Sequence, residues 1–134
     1  MTLIEALLSL KSFIEDLETI IEDINYVDYS KRISGICYIL SIPTNFIKIF
    51  VENRDSILQL LAAIHSRLKL LYADEILNEE FVKRNIQVPN VVLAEEWYIN
   101  NLENMDQYTT EINALVDECV SKLLYLHETL KITQ

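Results

Sequence analysis

Two histidines and two cysteines are the side chains of this 134-residue chain best suited to hold a metal or act as a nucleophile. A di-iron site in a helical bundle needs Glu-x-x-His on one helix. Three residues before His65 stands Ala62, and three before His127 stands Leu124, so neither histidine completes that pattern. Zinc needs clustered Cys and His, whereas Cys37 and Cys119 stand alone. On a helix, Cys119 and His127 would lie about 12 Å apart along the axis, too far for a nucleophile and its base. Nothing in the spacing of Cys37 and His65 supports a pair. A phosphate-cradling loop needs several glycines, and Gly35 is the only glycine present. A carboxylate pair for acid–base work arises by chance among 21 acids, so it carries no information. The expectation is a non-enzymatic protein with no metal and no cofactor, its cysteines reduced and buried.

The elements that would position any site are helices. The chain has one Gly and two Pro, where average usage would place roughly a dozen or more of the two together. Sheet-rich folds depend on turns that use these residues, so few long helices are the economical solution. At 51% apolar, the chain can bury a core and does not have the composition of a disordered chain. Its length suits a single domain over residues 1–134.

Local signals place the helices. Thr2 followed by Glu5 reads as a capping box. Leu3, Leu7, Leu10, Ile14, Leu17, Ile21 and Ile24 then repeat as a heptad seam, widened by Phe13, Ile20 and Val27. A stripe wider than a coiled-coil seam suits a bundle, and the helix is expected over about 2–26. A second helix is expected over about 28–53, broken at Pro43, which cannot donate a backbone hydrogen bond. The piece after Pro43 is apolar almost all round, through Phe46, Ile47, Ile49, Phe50 and Val51. A third begins near Asp55 or Ser56 with Ile57, Leu61, Ile64, Leu68 and Leu71, bends at Ala73-Asp74, and resumes through Ile76, Leu77, Phe81 and Val82. Residues 85–90 contain Pro89 and read as a loop. After it, Tyr98, Leu102, Met105, Thr109, Ile112, Val116, Cys119, Leu123, Leu126 and Leu130 keep one seam. That spacing predicts a continuous last helix of about 40 residues, roughly 60 Å long. The fold class is therefore all-α: an elongated antiparallel bundle of about four main helices.

Function is less legible. The net charge of −10 is concentrated at the two ends, about −5 over residues 1–27 and −6 over 89–134. No basic stripe exists, so direct nucleic-acid binding is not expected. No apolar run reaches the roughly 20 residues a membrane span requires, and no secretory signal is evident, so a cytoplasmic protein is expected. The leading expectation is protein–protein interaction through helical surfaces, with self-association through the long last helix as one form. An alternative is an acidic inhibitor that imitates nucleic acid in a partner's basic groove. The Ile, Asn and Tyr bias, with little Ala and Gly, would suit an AT-rich genome such as that of a phage or virus, and a viral accessory protein is one expected form of it. A third is a structural subunit of an assembly, served by the apolar 36–51 region. The candidate surface comprises Glu15, Asp16, Glu18, Glu22 and Asp23 on the first helix. On the last it comprises Glu95, Glu96, Trp97, Glu103, Asp106, Leu124 and Tyr125. Trp97, Leu124 and Tyr125 join it because they fall outside the seam. On one straight helix Trp97 and Tyr125 would stand roughly 42 Å apart and serve different contacts.

Overall fold

The computed structural model describes residues 2–23, 56–90 and 95–133. The expected second helix, its break at Pro43, Cys37 and the apolar 36–51 region lie outside the described residues. Among those described, all regular structure is helical and the chain forms an all-α bundle.

Helix α1 spans Leu3–Asp23. Thr2 caps it: the Thr2 Oγ1 accepts the Glu5 N–H at 3.1 Å, satisfying one of the donors that a helix start leaves free. The seam residues Leu3, Leu7, Leu10, Ile14, Leu17 and Ile21 are all buried, as are Ala6, Phe13 and Ile20. So wide a buried arc means that α1 has neighbours on more than one side.

Helix α2 spans Ser56–Tyr72 and α3 spans Glu75–Lys83. The bend between them falls at Ala73-Asp74, as the spacing predicts. Asp74 caps α3, its Oδ1 accepting the Leu77 N–H at 3.2 Å. The end of α3 is equally well defined. Asn85 adopts a left-handed backbone with φ of 57°. The Ile86 N–H reaches back to the Phe81 carbonyl at 2.8 Å, and the Asn85 N–H to the Val82 carbonyl at 3.2 Å. Those two bonds are the Schellman closure of a helix C-terminus. They turn the chain so that Ile86 and Val88 fold back against the core.

Phe81 is fully buried between Phe13, at 5.6 Å between ring centroids, and Tyr72, stacked at 5.2 Å. Val82, expected in the same stripe, is instead 67% exposed. Among the described residues, the buried row of α3 is Leu77 and Phe81, and the residue after Phe81 is rotated about 100° away from it.

The single 40-residue last helix is not formed. Helix α4 spans Glu95–Asn100, a 3-10 turn covers Leu102–Gln107, and α5 spans Thr109–Thr133. Asn101 makes the break. Its backbone N–H and its side-chain amide both donate to the Trp97 carbonyl, at 3.1 and 2.8 Å. Asn104 then bonds Asn101 in a tighter turn, at 3.0 Å. Asn side chains compete for backbone groups in this way and disfavour helix interiors. After the break the seam resumes, with Ile112, Val116, Cys119, Leu123, Leu126 and Leu130 buried.

The relation between the first and last helices was not readable from spacing. Lys11 pairs with Glu118 and Glu15 with Lys122, each at 3.1 Å, while the Cys119 thiol faces the Leu7 carbonyl at 3.9 Å. From the first ion pair to the second the residue number rises by four on both helices, so α1 and α5 lie side by side and point the same way. One core cluster joins α1, α2, α3 and α5.

Candidate interaction surfaces

The fold spends part of the acidic face of α1 on itself. Glu15 is tied to Lys122, and Asp23 to Arg84, which also holds Glu80 at 3.1 Å. The hydrogen bond from Lys122 to Glu15 holds its ammonium more firmly in the charged form, and Asp23 does the same for the Arg84 guanidinium. Glu18 is half-buried, leaving Glu5, Asp16 and Glu22 as exposed α1 acids with no ion pair among the described residues.

The acids after the 85–90 loop are disposed differently. Glu96, Glu103 and Asp106 are exposed on α4 and the 3-10 turn. The side chain of Glu95 lies outside the described residues. From residue 85 to residue 121 the sequence contains no Lys, Arg or His. This stretch therefore supplies no base of its own to answer its acids.

The three off-seam apolar candidates separate as well. Trp97 is half-buried on α4, packed edge-on against Tyr108 at 5.4 Å and against the core. Leu124 is half-buried against the core. Tyr125 is 65% exposed on α5. With α4 and α5 separated by the 3-10 turn, the straight-helix distance between Trp97 and Tyr125 no longer applies. Sequence reasoning missed four further exposed apolar side chains: Leu8, Leu70, Val82 and Ile99. Leu8 and Leu70 sit beside seam leucines, and the offset by one position was the available signal.

Two cavities flank the strap that follows α3. One, of about 430 Å³, lies between α1 and the turn, lined by Ser9, Ser12, Asp16 and Thr19 on one side and Arg84 and Asn85 on the other. The second, of about 370 Å³, lies between the strap and α2, lined by His65, Lys69, Tyr72, Gln87, Val88 and Asn90. Neither was legible, because each joins segments distant in sequence.

Cys119 is a buried free thiol. Burial first, then the charge of Glu118, pushes it up to about 12, so it is neither thiolate nor ligand near neutral pH. Among the described residues, no three His, Cys, Asp or Glu side chains converge as a metal site, and no helix is long and apolar enough to cross a membrane. Compared with known proteins, the chain matches no family model, and no curated protein or solved structure is significantly similar to it.

Proposed function

We propose that this protein is a non-enzymatic binding module that docks helical surfaces onto a protein partner, a second copy of itself included. Tyr125 carries the reading. It is 65% exposed on a helix whose inner row is at most 3% exposed, so its position is not a failure of packing. Exposed aromatic rings are enriched among the residues that dominate binding energy at interfaces. Leu8, Leu70, Val82 and Ile99 add exposed apolar surface elsewhere. A reducing cytoplasm suits the buried thiol of Cys119. The test compares the wild type with Tyr125→Ser, by sedimentation over a wide concentration range and by partner capture from the source cells. A partner or dimer that the wild type holds and the variant loses supports the reading. A wild-type monomer that captures nothing in a Tyr125-dependent way removes it.

A second reading rests on the base-free stretch. Glu96, Glu103 and Asp106 are exposed there, and the surface suits the basic groove of a nucleic-acid-binding partner. This inhibitor would block the groove by charge imitation. The test replaces Glu95, Glu96 and Glu103 by Lys. Salt-sensitive capture of such a partner, lost in the variant, supports imitation; capture indifferent to both salt and substitution excludes it.

A further inference from the structure

The cavity between α2 and the strap differs from the rest of this acidic surface. His65, Lys69 and Tyr72 follow one another at spacings of four and three, so they share one face of α2. The strap residues Gln87, Val88 and Asn90 complete the lining. At about 370 Å³ the space falls within the range of small-molecule sites.

Its charge is unspent. Acids outnumber Lys and Arg by 21 to 11, and Lys11, Arg84 and Lys122 each hold a carboxylate. Among the described residues Lys69 holds none, and neither does His65. Two basic groups one helical turn apart disfavour each other when both are charged. Burial, and then the charge of Lys69, accordingly lowers the His65 pKa. An anion seated between the two would relieve that conflict. The floor suits an apolar body rather than a bare ion. Tyr72 is held flat by stacking on Phe81 at 5.2 Å, and Val88 is half-buried against the core.

We propose that this cavity binds a small aryl-bearing oxyanion, with Lys69 and His65 taking the carboxylate or phosphate group and Tyr72 and Val88 taking the ring. Gln87, exposed at the rim, offers its amide to the same head group. The site is independent of the protein-docking surface around Tyr125, and either can fail while the other stands.

The test is a titration of the full chain, followed by amide NMR shifts, with four probes: phenyl phosphate, benzoate, inorganic phosphate and benzyl alcohol. Saturable shifts at Lys69, Tyr72, Gln87 and Val88 are expected with the first two. Binding about tenfold weaker is expected with inorganic phosphate or benzyl alcohol, since each lacks half of the ligand. Lys69→Gln weakens phenyl phosphate by about tenfold, while Lys83→Gln, which removes a lysine from the neighbouring helix, leaves it unchanged. Both lysines are exposed, so folding survives each change. Three results would overturn the proposal: no saturable shift with either aryl anion at millimolar concentration, equal binding of inorganic phosphate alone, or equal loss in the two lysine variants.

Discussion

Lys122 on α5 holds Glu15 on α1 at 3.1 Å, one turn beyond a pair of reversed polarity, Lys11 with Glu118, also at 3.1 Å. Each helix thus presents one base and one acid four residues apart, in opposite order. Aligned in parallel, both contacts join unlike charges. Aligned antiparallel, Lys11 would meet Lys122 and Glu15 would meet Glu118. The four charges select the direction of the pair more than they strengthen it, since exposed ion pairs contribute only about 0.2–1 kcal/mol each.

Reversing one charge tests this. Lys122→Glu is expected to destabilise the fold by about 0.5–1 kcal/mol, by losing one attraction and creating a repulsion. Adding Glu15→Lys restores most of the loss. Urea denaturation of the two single variants and the double variant measures the coupling. Additive losses would show that the residues do not interact in solution.

Phe81 and Val82 are adjacent in sequence and opposite in consequence. Phe81→Ala empties a fully buried site between Phe13 and Tyr72 and is expected to cost about 3–5 kcal/mol. Val82→Ala, at a position 67% exposed, is expected to change stability by no more than about 0.5 kcal/mol. Thermal or urea unfolding of the two variants distinguishes them directly.

Asn85 closes α3 with φ of 57°, in a region where a side chain crowds the backbone. Asn85→Gly keeps or slightly raises stability. Asn85→Val is expected to cost about 1–2 kcal/mol, because a β-branched residue is poorly accommodated there. The same variant should enhance hydrogen exchange at the Ile86 amide, which the Schellman turn otherwise ties to the Phe81 carbonyl at 2.8 Å.

Cys119 is expected to resist alkylation. In a Cys37→Ser background, iodoacetamide at pH 8 modifies the thiol only as the protein unfolds, so the rate rises steeply with urea. The accompanying pH effect follows from a folded pKa of about 12 against an ordinary value of 9.0. The unfolded chain loses its proton first, so stability is unaffected below about pH 9 and falls as pH rises from there toward 12. Cys119→Ala removes that alkaline decline, which stability curves measured between pH 8 and 11 would reveal.

What could be read in advance followed from local chemistry. Thr2, the bend at Ala73-Asp74 and the seam of α1 depend on residues within a turn or two of each other, and each is where the spacing places it. The break near Asn101 was missed because Tyr98, Leu102, Met105, Thr109 and Ile112 keep their heptad spacing straight through it. Periodicity registers where side chains point and is blind to an Asn that takes over a backbone carbonyl. The candidate surface was harder still. Glu15 and Asp23 read as free acids because their partners, Lys122 and Arg84, lie 107 and 61 residues away. The cavity at His65 and Lys69 needs the Asn85 turn to bring Gln87 and Val88 across α2, and nothing on α2 announces it.

The shared direction of α1 and α5 has an electrical consequence. Peptide dipoles in oppositely directed neighbours cancel, whereas here they add, about half a charge from each helix at either end. Glu5 and Glu111, in the first turns of the two helices, answer the positive end. The other end has no such correction from α1, whose last turn holds no base and ends in Glu22-Asp23. The constant offset between the paired residues sets Glu128 of α5 level with that turn. Arg84 offsets only one of these acids. Lys131, in the last turn of α5, answers part of that charge. Among the described residues this end of the pair therefore sets two helix C-termini and three acids against two bases, and it would attract an approaching cationic surface.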